Sequence, residues 1–399
     1  MTRPKILAIG ALPFYSAGKR TFEFGLSIFN EQLFPALARM GHRVRVLAEA
    51  PPKDGKFERT AIEWDAPNLT VEPFALEFRN GQLPSSASFR AAHQRRCREV
   101  FDRAMHEERP DVVVIGRESL ALHFGDIIRG YGSPWIIVAH GVPTAGLLEE
   151  GFPSDFRDEL IAQMGSSDLV VTVAHHLAVI LLRLGVARVR TISNVVDPVR
   201  FHPQPKDRGL LNELRIAPDQ TVVGHISDLS TAKRPFDVVE SALRVLEQEP
   251  RAVYVVCGDG HERPALEKFC SDKGIASSFR FVGAVEHRDV DRYMNLADVV
   301  LSSSGREGCP LTYLEALACG RVLLASDIPA AHEMIADGGT GMFYNMGDPV
   351  DLAAKTLTLI REPNLRSRLG GAARCAAERM SVARWAESYS DAITEVAAT

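Results

Sequence analysis

The chain has 399 residues, 46% hydrophobic and 24% charged, a balance typical of a soluble globular protein long enough for two separate cores. Forty-six Lys and Arg against 51 Asp and Glu leave a formal net charge of −5. That slight acidity gives no reason to expect nucleic acid as a partner. The six cysteines, Cys97, Cys257, Cys270, Cys309, Cys319 and Cys375, have neither metal-ligand spacing nor the clustering of a small secreted scaffold. They point to a reducing, cytoplasmic setting.

Met1-Thr2-Arg3-Pro4-Lys5 leads straight into an apolar run, so no secretory leader is expected. Residues 5–10 (Lys-Ile-Leu-Ala-Ile-Gly) predict a first buried parallel strand. A loop with Pro13, Gly18 and Lys19 follows, then a helix over about 25–40 and a strand over 44–48. Residues 51–90 read as irregular, with strand-like patches near 70–78. A helix over 88–108 carries Arg90, Arg95, Arg96, Arg98 and Arg103. Its arginines read first as a solvated face, with contact to an anionic membrane surface as the alternative. Further buried strands are expected over 110–116, 135–141 and 168–173. The second of these ends in His140-Gly141, where ligands of open parallel sheets bind. The longest apolar stretch, 169–189, contains His175, His176, Arg183 and Arg188 and is not a membrane span. Pro198, Pro203 and Pro205 mark a domain boundary near 195. Beyond it the β/α alternation restarts, with strands over 221–227, 253–257 and 279–285 and a helix over about 236–247.

The most informative stretch lies near the end of this second half. A β-branched run at 297–301 leads into Ser302-Ser303-Ser304-Gly305-Arg306-Glu307-Gly308-Cys309-Pro310, then into a helical run ending at Gly320. Pro310 suits the first helical position and Gly320 the stop. The free N–H groups of Leu311 and Thr312, with the positive end of the helix dipole behind them, then make an anion site. Glu307 stands before that site and Glu315 about one and a half turns beyond it. A phosphate centre flanked by two carboxylates suits a ligand with hydroxyl-rich groups on both sides, such as a nucleotide diphosphate sugar.

Glu307, Gly308, Pro310, Glu315-Ala316 and Gly320 resemble the Glu-x7-Glu signature of retaining glycosyltransferases of family 4. The resemblance implies the GT-B fold: two doubly wound, Rossmann-like α/β domains facing a cleft. It divides the chain into an acceptor-side domain (1–195), a nucleotide-sugar domain (196–380) and a terminal helix (381–399) bracing the first. It also implies roles. Lys233, with the backbone of Gly308, Leu311 and Thr312, would oppose the charge of the leaving diphosphate. Glu307 would hold hydroxyls of the donor sugar, Glu315 those of the ribose, and His140 would approach the sugar from the first domain. Gly25 matches half of a glycine pair near the donor, the other half reading Phe24. Gly258 ends a strand in the family's Gly-x-Gly manner, and Gly283 ends the strand that meets the base. The chain departs from the family where Val195 replaces a usual Gly and Asp228 replaces the phosphate-binding Arg. Arg234 is then the substitute cation.

What the resemblance implies is a retaining, metal-independent hexosyltransferase with a nucleotide diphosphate sugar, a UDP-sugar by preference, as donor, and with neither cofactor nor metal. The acceptor stays open among a small molecule, a polysaccharide and a lipid-linked sugar, as does the oligomeric state. A cytoplasmic location fits, with peripheral membrane contact at the cytoplasmic face if the arginine-bearing helix is used. Two rivals stand beside this reading: another enzyme of the same fold, such as an epimerase or phosphorylase, and a non-catalytic nucleotide-sugar-binding subunit.

Overall fold

The structure, a computed structural model, describes residues 3–12, 14–16, 19–21, 25–50, 66, 68–75, 87–149 and 152–399. The chain divides into two compact units, Met1–Asn194 with Ala383–Thr399, and Val195–Val382.

The first unit contains β1 (Lys5–Ala11), β2 (Phe14–Ser16), β3 (Lys19–Thr21), β4 (Arg43–Ala50), β5 (Leu69–Ala75), β6 (Val112–Ile115), β7 (Trp135–Ala139), β8 (Leu169–Thr172) and β9 (Val189–Thr191). Seven of these form a parallel sheet in the order β5-β4-β1-β6-β7-β8-β9, while β2 and β3 make a separate antiparallel pair. Six of the seven residues of β1 and all of β6, β7 and β8 are buried. That is why these strands read as continuous apolar runs and not as alternations. The chain builds the sheet outward from β1 through β4 to β5, then returns to place β6 on the other side of β1. The switch point therefore lies between the carboxyl ends of β1 and β6.

Helix Ala87–Glu107 packs on this sheet through Cys97, Val100, Phe101 and Ala104, a helical i, i+3, i+4, i+7 stripe. Its arginines face outward: Arg96 pairs with Glu99, and Arg103 pairs with Glu72 of β5. The side chain of Arg90, most of the 51–90 region, Gly18 and Phe24 lie outside the described residues. Among the described residues no helix is long and apolar enough to cross a membrane. The last helix, Val382–Ala397, belongs to this unit for all but its first residue. Its buried Trp385 and Tyr389 meet Phe29 edge-on, with ring centroids 5.3 and 5.7 Å apart. Ser390 on the same face bonds His42 and Arg3.

The second unit contains β10 (Val222–Ile226), β11 (Val253–Cys257), β12 (Phe279–Gly283), β13 (Val299–Ser302), β14 (Val322–Ser326) and β15 (Met342–Tyr344), parallel throughout in the order β12-β11-β10-β13-β14-β15. Here the switch point lies between β10 and β13. The loops leaving those two strands carry Lys233 and Glu307. The two units are thus parallel-sheet α/β domains of the GT-B class.

Candidate active site

The loop after β10 is shaped by its neighbour. Gly258, just past β11, has φ +139°, and a Cβ there would sit 1.8 Å from the carbonyl oxygen of Ser227. Only glycine lets the two strand ends approach so closely. Ser227 and Leu229 donate to the carbonyls of Cys257 and Asp259, and Gly258 donates to Gly283. Gly258 and Gly283 therefore set the course of the loop. It then makes a single 3-10 turn, Thr231–Lys233, ended by Arg234 in the left-handed region at φ 49°. Pro235 opens the next helix, Pro235–Gln248.

The loop after β13 is stapled to it. Ser303 Oγ donates to the carbonyl of Lys233 at 2.7 Å, and the Gly305 N–H donates to Ala232 at 2.9 Å. Ser326 Oγ holds the carbonyl of Ser304 from β14. These bonds bring Lys233 and Glu307 together: Nζ lies 2.5 Å from Oε1, and the two side chains are only 16% and 10% exposed. Burial lowers the Lys233 pKa, but the Glu307 carboxylate outweighs it, and the group stands above its ordinary 10.5. Lys233 is a cation held by one carboxylate, with the exposed Asp228 adding to the same field.

The helix that follows runs Leu311–Ala318, one residue later than the sequence predicts. Pro310 is its N-cap, because ψ 126° is extended and not helical. Leu311 and Thr312 remain in the first turn, half-buried, with no side-chain cap on the preceding residue. Gly308 is buried beside them. Glu315 is buried further along the helix, and its Oε1 accepts from Nε2 of His287 at 2.8 Å. The sequence reading does not single out His287. Its only signal was its place in the loop beyond β12, at a strand carboxyl end.

Arg234 is committed elsewhere. Its Nε and Nη2 bond the two carboxylate oxygens of Asp237 at 2.8 and 3.0 Å. Because Asp237 is three residues on, the helix start itself holds the guanidinium, and the structure does not present it as an unpaired substitute for the missing Arg.

In the first unit, His140 follows β7. Burial pulls its imidazole pKa down to about 3, with Arg117 pushing the same way and a backbone bond to Gly116 partly opposing. Nε2 is buried without a hydrogen-bond partner among the described residues. The Gly116 carbonyl must then be served by Nδ1–H, leaving Nε2 as an acceptor. The ring lies 4.5 Å from that of Phe29, edge-on. Buried Glu118, missed by the sequence reading, holds the turn by accepting from the N–H groups of His140 and Gly141 and from Thr144 Oγ1 at 3.1–3.3 Å. Beside it Arg117 pairs with buried Glu49 at 2.7 Å.

Gly25, expected near the donor, is exposed, and a Cβ there would meet nothing within 4 Å. Close approach occurs at Gly10 and Gly116 instead. A Cβ on either would lie 2.7 Å from the side chain of Asn30, which is buried between the ends of β1 and β6. The described residues contain no cluster of three or more His, Cys, Asp or Glu able to hold a metal ion.

A family model described as Glycosyl transferases group 1 matches residues 209–375, and one described as Glycosyltransferase Family 4 matches residues 25–200. D-inositol 3-phosphate glycosyltransferase 2 of Catenulispora acidiphila is 29% identical over 239 residues, 57% of this chain and 54% of that protein. The alpha-monoglucosyldiacylglycerol synthase of Acholeplasma laidlawii is 28% identical over 141 residues, 35% of each. The chain spans about half the length of the curated relatives it matches, 51% and 48% in two further cases. Among solved structures it is similar to Anabaena HepE in complex with UDP-glucose, with a TM-score of 0.77 over 98% of this chain and 100% of that one. At 19% identity this likeness speaks for the fold alone. The two family models between them take in both sheets, and the chain belongs to the family 4 glycosyltransferases of the GT-B fold.

Proposed function

We propose that this chain is a retaining, metal-independent glycosyltransferase whose donor is a nucleotide diphosphate sugar, most simply a UDP-sugar. The observation that carries the reading is the meeting of Lys233, Glu307 and the first turn of helix Leu311–Ala318 at the switch point of the second sheet. A cation and free N–H groups at that place suit a diphosphate, and the buried carboxylates Glu307 and Glu315 on either side suit sugar hydroxyls. The UDP-glucose bound by HepE and the glycosyltransferase names of the relatives support the same donor class.

In the proposed reaction the bond from the anomeric carbon to the diphosphate oxygen breaks, and its electron pair stays with the diphosphate. The Lys233 ammonium and the N–H groups of Leu311 and Thr312 oppose that growing charge. Glu307 holds donor hydroxyls beside the positive charge developing on the ring. Nε2 of His140 accepts from a hydroxyl of the sugar. An acceptor oxygen bonds the anomeric carbon on the face the diphosphate leaves, and its proton passes to a leaving phosphate oxygen. No separate nucleophile is needed, and the anomeric configuration is kept.

Asp228 favours one second reading. The family's phosphate-binding Arg is replaced by a carboxylate and Arg234 is held by Asp237, so the diphosphate would meet a single lysine. That is the arrangement expected of a non-catalytic nucleotide-sugar-binding subunit. Incubation with donor sugars and EDTA, against an acceptor panel of an inositol phosphate, diacylglycerol vesicles and an oligosaccharide, separates the readings. Release of nucleoside diphosphate only with an acceptor, and a product of unchanged anomeric configuration by NMR, supports the transferase. Release without acceptor dependence points to another GT-B reaction, and tight donor binding with no release to the subunit.

A further inference from the structure

Glu315 is a carboxylate with its side chain only 5% exposed, and one of its oxygens is already in use. His287 donates to Oε1 from Nε2, while its Nδ1 lies 3.1 Å from Nη1 of Arg200. A guanidinium has only donors, so Arg200 must donate to Nδ1. That leaves the imidazole proton on Nε2, pointed at Glu315. Arg200, His287 and Glu315 thus form a chain in which every donor faces the carboxylate.

Each end of the chain is anchored. Arg200 also donates to the carbonyl of His287, and its guanidinium lies 4.7 Å over the ring of Phe201. The backbone carrying it is gripped by Arg374, whose Nη1 reaches the carbonyls of Pro198, Phe201 and Ala318 at 2.9–3.1 Å. Ala318 ends the helix that bears Glu315. Residues 198–201, the loop beyond β12 and this helix are therefore one hydrogen-bonded body.

A carboxylate with a fixed donor on one oxygen cannot turn freely about its last torsion, so its other oxygen keeps a set direction. We propose that His287 and Arg200 are positioning residues that aim Glu315 at the vicinal diol of a nucleotide ribose, and that preference for ribose over deoxyribose ligands depends on them. The proposal rests on the nucleotide-sugar reading above.

Calorimetric titration of the full chain with UDP, ADP and GDP, each beside its 2′,3′-dideoxy analogue, tests it. The wild type should bind the ribonucleotide about tenfold or more tighter, the size of one or two hydrogen bonds to a charged group. Glu315→Ala sets the reference with that preference removed. His287→Ala should reduce the preference to about threefold or less while leaving dideoxy binding within about twofold. His287→Gln keeps an N–H near the place of Nε2 and should recover part of the preference. It also serves if the alanine variant fails to fold. Arg200→Met should fall between wild type and His287→Ala. If the His287 variants weaken both ligands equally and keep the ratio, the role is merely structural and the proposal fails. Equal binding of ribo and dideoxy ligands by the wild type overturns it too, with nucleotide binding left standing. A folded wild type that binds none of the three overturns the nucleotide-sugar reading itself.

Discussion

Nζ of Lys233 lies 2.5 Å from Oε1 of Glu307, both largely buried, so two groups suited to opposite charges of a reacting sugar nucleotide neutralise each other in the ligand-free chain. A bound diphosphate would take Lys233 from its carboxylate, and Glu307 would be released toward hydroxyls.

Breaking this pair should be costly. Glu307→Gln leaves a nearly buried ammonium without its counter-ion, and urea denaturation at pH 8 should show a loss of about 2–4 kcal/mol. Because the folded pKa of Lys233 is raised above 10.5, the pair's contribution is fully present below that value. It is lost as pH rises through the folded pKa. The gap between wild type and variant should therefore narrow above pH 10.5, and a gap unchanged at pH 11 would count against the pairing.

The imidazole of His140 gives the opposite dependence. Its folded pKa is depressed to about 3, so the fold keeps it neutral while the unfolded chain takes up a proton near 6.5. Its contribution is whole above pH 6.5 and declines as pH falls from there toward 3, by at most about 1.4 kcal/mol per pH unit. His225, buried and lowered to about 4, behaves alike. His140→Phe should flatten the acid limb of the stability curve by one proton's worth, leaving the share of His225. A limb of unchanged slope would show that His140 titrates normally.

Glu118 holds three donors around His140 with one carboxylate. Glu118→Ala strands them in a buried place and should cost about 2–4 kcal/mol, with Glu118→Gln costing less. Thermal denaturation of the two variants checks the order. Equal losses would mean that the negative charge, and not the hydrogen bonding, is what matters.

The glycines make a sharp contrast. Gly258→Ala drives a methyl group into the backbone of Ser227 and should lower stability by about 3 kcal/mol or more. Gly25→Ala meets open space and should be neutral, or stabilising by up to about 1 kcal/mol, at the start of its helix. Circular-dichroism melts of both variants suffice. A tolerant Gly258 would mean that the β10 and β11 ends do not approach as described.

Most of the fold was legible because parallel strands buried on both faces are written as unbroken apolar runs. Residues 5–10, 253–257 and 297–301 each announce a strand, and Gly and Pro punctuate the helices between them. The Glu307–Glu315 spacing was legible for the same reason, since it spans one loop and one helix. Partners far apart in sequence were not. Nothing local tells that Lys233 faces Glu307, 74 positions away, that His287 faces Glu315, or that Glu118 caps the turn at His140. Those pairings come from sheet order, which brings together loops leaving β10, β12 and β13. Gly25 shows the converse: a match by position in the chain, while close packing fell to Gly10 and Gly116.

The central claim is that the β10–β13 switch point holds a nucleotide diphosphate sugar, and the most direct test is thermal stabilisation by UDP-, GDP-, ADP- and TDP-sugars with and without EDTA. Ligand at about 100 times its dissociation constant adds about 2.7 kcal/mol to the folded state. We expect a clear, EDTA-insensitive rise in melting temperature with one nucleotide class, largest for UDP-sugars, and its loss in Lys233→Met and Glu315→Ala. A folded protein whose melting temperature is moved by none of them would contradict the account.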